Sequence, residues 1–300
     1  MTAGELLRRL RPFVGVLIVL LLAAWAWPRR HELAAAFRDL GGSLLPSAAV
    51  LVVALVLAVA TWRASLAAVG TRFGVRHSIA VYLPAQLGKY LPGALWPVLG
   101  QADRAGDFGA SRRSVAVGGA LAVLVAALTA ATVGVFAIAP LGSLALVVSV
   151  VCAVVLTATL LLAPGPLLRA GAHVLPGWAG TVTPDPPALR RALAWGWATW
   201  LVQGLHLLPL LVASGVGWRA ALVPAVCGYA AAWLAGLVAV FAPAGAGVRE
   251  AALVVALSGV VDAPTALAIA LASRALTIAV DVIGAGVGIR AARSVRPRPA

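Results

Sequence analysis

The chain reads as long apolar runs separated by short arginine-bearing segments. Eight of these runs are long enough to draw as membrane spans: Pro12–Trp27, Leu44–Trp62, Ser114–Ile138, Leu141–Ala163, Leu193–Ala213, Ala220–Ala242, Ala246–Val261 and Ala263–Ile289. A stretch of about 18 or more apolar residues is the signature of a helix that crosses the hydrocarbon core. The first and seventh runs are the shortest. The expected fold is therefore an all-α integral membrane protein of about eight transmembrane helices. Tryptophans near the run ends, Trp62, Trp178, Trp195, Trp197 and Trp218, fit an interfacial belt.

Two segments are apolar enough to enter the bilayer but too broken to be ordinary spans. Residues 78–101 contain YLPAQLGKYLPGALWPVLGQ, with Pro84, Gly88, Pro92, Gly93 and Pro97 as breakers and Gln86 and Lys89 as polar residues. Proline removes a backbone donor and blocks the preceding turn. Irregular backbone at membrane depth survives only where protein or a water-filled cavity surrounds it. The reading is a re-entrant helix–break–helix pair. Residues 241–250, FAPAGAGVRE, break the chain a second time at Pro243, Gly245 and Gly247. A Gly-x-Gly that opens a helix leaves N–H groups free to meet an anion, and paired discontinuous helices are where transporters place substrate. One break in each half suggests an internal two-fold repeat, parallel on this span count and inverted if one span is miscounted.

The halves divide at proline. Residues 1–163 form a first membrane half containing the re-entrant segment. Residues 164–188, with Pro164, Pro166, Pro176, Pro184, Pro186 and Pro187, form a linker that cannot be helical. Residues 189–290 form the second half, and residues 291–300 a basic tail. Arginines at the N-terminus, in the two long inter-span segments and in the tail place both termini in the cytoplasm of a plasma-membrane protein. Arg29, Arg30 and Arg38 run against that scheme. Arg8, Arg9 and Arg11 before an apolar run resemble a signal peptide, but no small-residue cleavage site follows.

Composition narrows the functions. Hydrophobic residues make up 62% of the 300, only 11% are charged, and the mean hydropathy is +1.02. A soluble domain is about a quarter charged. The net charge of +14 lies in arginines that flank spans, so the excess does not point to nucleic acid. Cys152 and Cys227 lie inside spans and read as buried small side chains. His31, His77, His173 and His206 are scattered, so no metal or other cofactor is implied. No nucleophile–base cluster or nucleotide-binding loop is visible, which argues against an enzyme and against direct use of ATP.

The intramembrane charges are the candidate chemistry. Lys89 is the single lysine among 23 basic residues, and an ionisable residue at membrane depth is a functional-site hypothesis. The plainer reading is that it snorkels to the headgroups. Arg249 and Glu250 follow the second break. Either Arg249 and the freed amides of Gly245 and Gly247 hold a lipid phosphate, with Glu250 orienting the arginine, or Glu250 simply meets the helix macrodipole. Arg274 and Asp281 sit seven residues apart on one face of the last span, paired with each other, with Glu250, or facing a polar cavity. Tyr90 and Trp96 are packing residues or ligand contacts.

At these breaks the chain resembles the lysylphosphatidylglycerol synthase transmembrane region, also called the flippase-like domain family. YLPAQLGKYLPGALWPVLGQ is similar to its first signature. FAPAGAGVREAAL is similar to its second, a Pro-Gly-x-Gly-x-Arg-Glu run, and departs from it at Ala244. Arg274 in ASRALTIAVD is similar to an arginine of its last span. The resemblance implies a multi-span domain that moves or binds an anionic phospholipid or a polyprenyl-phosphate-linked lipid. The family's lysyltransferases carry a soluble aminoacyl-transfer domain after this region. This chain ends without one and is expected not to make lysyl-phosphatidylglycerol. The implied site comprises Gln86, Lys89, Tyr90, Gly93, Gly245, Gly247, Arg249, Glu250, Arg274 and Asp281. Two roles stay open: a lipid translocator, or a non-transporting partner that presents lipid to a separate transferase or glycosyltransferase. Oligomeric state is also open.

Overall fold

The computed structural model describes residues 27–28, 30–91, 96–137, 142–162, 185–239, 242 and 245–295. Every regular element among them is helical: α1 Arg30–Asp39, α2 Leu44–Ala68, α3 Val75–Ala85, α4 Trp96–Gly106, α5 Arg112–Gly134, α6 Ser143–Leu162, α7 Pro186–Leu205, α8 Leu207–Ala213, α9 Trp218–Val223, α10 Tyr229–Val238, α11 Val248–Leu257 and α12 Ala263–Val295, with short tighter or wider turns between some of them. Among the described residues five stretches are long and apolar enough to cross a membrane: Gly41–Ala68, Arg112–Ala137, Pro186–Ala213, Trp218–Val238 and Ala263–Ser294. The protein is thus an all-α membrane protein. The expected span Pro12–Trp27 lies, apart from Trp27, outside the described residues, as does residue 163 with most of the proline-rich linker.

The expected seventh span does not form. α11 has ten residues, about 15 Å of helix at 1.5 Å per residue, roughly half of a hydrocarbon core about 30 Å thick. Two other spans are bent for a stated reason. Pro209 has no N–H for the Leu205 carbonyl, and the expected span Leu193–Ala213 accordingly divides into α7 and α8 at His206. Pro224 opens a π turn, Pro224–Gly228, between α9 and α10. Three threonine hydroxyls inside the spans are satisfied locally, Thr61 on the Leu57 carbonyl (3.0 Å), Thr129 on Val125 (2.8 Å) and Thr277 on Ser273 (2.8 Å).

The first broken segment is a hairpin. α3 runs into a 3₁₀ turn, Gln86–Tyr90, and α4 returns beside it. Its two outer ends meet, with His77 edge-on to Phe108 at 5.3 Å, so it enters and leaves at one end of the bundle. That end collects the arginines. The Asp185 N–H reaches the Ala68 carbonyl (3.0 Å), Arg72 pairs with Asp185 (3.5 Å), Arg190 reaches the Leu161 carbonyl (3.2 Å), and Gly288 of α12 lies against Ile79 and Pro84. α12 has 33 residues, about 50 Å, and carries Arg290 and Arg293 beyond this contact.

Two sequence expectations about side chains change. Trp62 is 1% exposed and donates to Gln101 (2.8 Å) rather than lying in an interfacial belt. Cys152 is exposed rather than buried, because α6 presents an almost wholly apolar outer face, with Leu144 and Val154 also exposed. A lipid environment satisfies that face, and a cysteine there is one more apolar contact.

Where helices touch, glycine sets the distance. A Cβ on Gly204 would fall 2.5 Å from the Val226 Cα and 3.0 Å from its carbonyl oxygen. Backbone cannot yield as a side chain tip can, so Gly204→Ala should destabilise by about 1–3 kcal/mol. Gly286→Ala, which meets nothing within 4 Å on α12, should be neutral or slightly stabilising. Thermal melting of the two variants in the same detergent checks this, and equal melting points would remove the close-packing account.

Candidate functional site

Both broken segments turn into one cavity of about 270 Å³. A space of this size admits a small polar headgroup. Gln86, Lys89 and Tyr90 come from the tip of the first hairpin, Gly245 and Arg249 from the second break, and Arg274 and Asp281 from α12. Seven of the ten residues expected at the site therefore line the same space. Gly93 lies outside the described residues. Gly247 and Glu250 stand just behind the wall.

The charges are paired across elements. Asp281, buried on α12, takes Lys89 at 2.7 Å and the Tyr90 hydroxyl at 2.5 Å. Lys89 thus does not snorkel away to the headgroups; its ammonium stays beside its carboxylate on a side chain that is about a third exposed. Arg274, one face with Asp281 and two turns before it, pairs instead with Glu250 on α11 at 3.6 Å, and its guanidinium lies 5.8 Å from the Tyr90 ring centroid. Arg274 and Asp281 are therefore not partners of each other. They attach α12 to the second and the first break respectively.

The second break works differently from the expectation. Glu250 is the third residue of α11, and its Oε2 folds back to accept the Gly247 N–H (2.6 Å). The Gly245 N–H donates to the Ala242 carbonyl (2.9 Å). Neither amide is left for an anion, since a local acceptor is always nearer than a ligand can be. The glycines serve geometry instead. Gly245 has φ +69° and stands where a Cβ would be 2.5 Å from the Gly236 Cα, so the turn presses directly on α10. Glu250 does not orient Arg249, because its two oxygens already serve Arg274 and Gly247.

Arg249 has another partner, which the sequence reading missed. Its guanidinium donates to the Tyr229 hydroxyl and lies 4.7 Å from that ring's centroid. Tyr229 is fully buried on α10, immediately after the π turn, and also receives the Gln203 amide (3.2 Å). Among the described residues no carboxylate pairs with Arg249. Gln203, Gln101 and Tyr229 were legible as polar or amphipathic residues inside or beside apolar runs, but nothing in their spacing joined them to Arg249. Among the described residues no group of three His, Cys, Asp or Glu side chains is placed to hold a metal ion.

Lys89 and Asp281 give a test of the pairing. Lys89→Met leaves a buried carboxylate with only Tyr90, a loss of about 3–5 kcal/mol when a buried pair is broken from one side. Lys89→Met combined with Asp281→Asn should recover most of that loss. The measurement is the melting temperature of the single and double variants in detergent, and a double variant no more stable than the Lys89→Met single would refute the pair.

Comparison with protein-family models matches residues 13–285 to the lysylphosphatidylglycerol synthase TM region. Comparison with curated proteins and with solved structures finds no match. The family match covers both broken segments, α12 through Asp281 and every residue of the cavity. The chain belongs to the lysylphosphatidylglycerol synthase transmembrane-region family, a family of membrane proteins with lipid-related function.

Proposed function

We propose that the protein is a lipid translocator of the plasma membrane, and that it holds the phosphate of an anionic phospholipid or polyprenyl-linked lipid at Arg249. The observation that carries this reading is the cavity charge pattern. A cation near the bilayer centre costs about 2.5–3.5 kcal/mol on insertion scales, and Lys89 and Arg274 offset that cost with carboxylates. Among the described residues Arg249 is offset only by a phenol, which leaves a full positive charge facing a headgroup-sized space.

Lys89 supplies the moving part. A phosphate arriving at the cavity competes with Asp281 for the ammonium, and release of Lys89 from Asp281 frees the hairpin tip from α12. Opening at that contact on one side and closure on the other would present the headgroup to the two leaflets in turn. The arginine-rich end, which holds the hairpin's base, the start of α7 and the end of α12, then faces the cytoplasm.

The test is lipid scrambling by purified protein in liposomes, read as chemical quenching of a fluorescent anionic lipid. Arg249→Gln should slow translocation by roughly 10- to 100-fold, the loss of one charge-assisted hydrogen bond, at an unchanged melting point. Wild-type rates in that variant would end the assignment of Arg249. A wild-type protein that moves no lipid by itself, yet copurifies with a transferase, would replace translocation by presentation of lipid to that enzyme.

A further inference from the structure

The walls of the cavity say more about the headgroup than that it is anionic. Among the described residues three cations face or border the space, Lys89, Arg249 and Arg274, against two carboxylates, Asp281 and Glu250. One positive charge is in excess. Residues 92–95 and 240–244, which complete the two breaks in the chain, are uncharged in the sequence and do not alter this count. A phosphodiester carries one negative charge at neutral pH and balances it. A phosphomonoester carries about 1.5–2, and a lipid diphosphate at least as many, so each would leave buried negative charge unmatched. A zwitterionic headgroup leaves the arginine unmatched.

The remaining lining is uncharged, polar and aromatic. Gln101 lines the cavity, and its Oε1 accepts from Trp62 (2.8 Å), while its amide nitrogen has no hydrogen-bond partner among the described residues. Gln86 and the Tyr82 hydroxyl also line the cavity with no hydrogen-bond partner among the described residues. Two aromatic pairs stand in the wall, Trp62 with Tyr82 at 5.5 Å and Trp200 with Trp233 at 4.6 Å. Uncommitted amide and hydroxyl groups along one cavity wall can each exchange a hydrogen bond with a ligand, and together they match a ligand dense in hydroxyls. The flat aromatic faces match the C–H faces of a saturated ring.

We infer that the cavity takes a lipid phosphodiester whose second substituent is an uncharged cyclic polyol, a sugar or an inositol. The inference rests on the preceding reading that the cavity holds a lipid headgroup, and it narrows that headgroup to one negative charge and a neutral ring. Arg249 meets the phosphodiester; Gln86, Gln101 and Tyr82 meet hydroxyls. The same chemistry occurs on a glycerophospholipid and on an isoprenoid phosphate glycoside.

Native mass spectrometry of the purified full chain against five lipids tests it: phosphatidylinositol, a polyprenyl phosphoryl hexose, phosphatidylmethanol, a polyprenyl diphosphoryl hexose and phosphatidylcholine. At least one of the first two should be retained on the order of tenfold over the last three, the equivalent of one or two net hydrogen bonds, and which of them prevails identifies the source. Gln86→Leu should reduce that retention about fivefold and leave phosphatidylmethanol unchanged. Equal retention of phosphatidylmethanol overturns the polyol, and equal retention of the diphosphate overturns the charge count. Either result leaves the translocator reading standing. Retention of no anionic lipid above phosphatidylcholine overturns both.

Discussion

A charge in the bilayer must be paired or bathed, and in this protein the pairing is what assembles the fold's irregular parts. Neither broken segment can hold itself in place, since one has lost its helix to proline and the other to glycine. Asp281 fastens the first through Lys89 and Tyr90. Glu250 fastens the second through Arg274 while closing its own helix start. Both fastenings land on α12, two turns apart or about 10.5 Å along its axis. The cavity is the space that remains between two discontinuous segments so anchored.

The price of breaking a helix at membrane depth is unsatisfied backbone, and here it is met by local acceptors rather than by ligand. Gly245 and Gly247 each commit the N–H that the sequence pattern offered to an anion. On the proposed reading, anion recognition is thereby left to a side chain. Arg249 suits that role because a guanidinium is weakly hydrated and stacks on aromatic rings, so Tyr229 can hold its direction without cancelling its charge.

Much of this was legible in the sequence. Apolar runs gave the membrane class, and the clash of proline and glycine with hydropathy in residues 78–101 and 241–250 located both breaks. The charged residues were found individually because charge inside an apolar run is conspicuous. Their partners were not. Helical periodicity placed Arg274 and Asp281 on one face but could not say that each looks to a different segment, since that depends on how α12 packs. Residues 246–261 read as a span by hydropathy alone, but they end in a ten-residue helix because Gly247 starts it late and Ser258 ends it. Tyr229 was visible as an amphipathic residue but carried no sign of its link to Arg249, as a single tyrosine in an alanine-rich run reads as packing.

His206 and Ser273 show why a polar contact in this protein need not be chemistry. The ring's Nε2 lies 2.7 Å from the Ser273 hydroxyl, and its Nδ1 faces the Gln203 carbonyl, the arrangement a nucleophile and its base would adopt. A carbonyl can only accept, so Nδ1 carries the proton and Nε2 receives the serine's. Both side chains are buried, and neither lines the cavity. What the contact does is tie the α7–α8 bend, made by Pro209, to the residue beside Arg274. α12 thus holds the first hairpin, the second break and the bent span through Asp281, Arg274 and Ser273. A shift of this one helix must disturb all three contacts together, which makes it the element that couples the two breaks to the bent span.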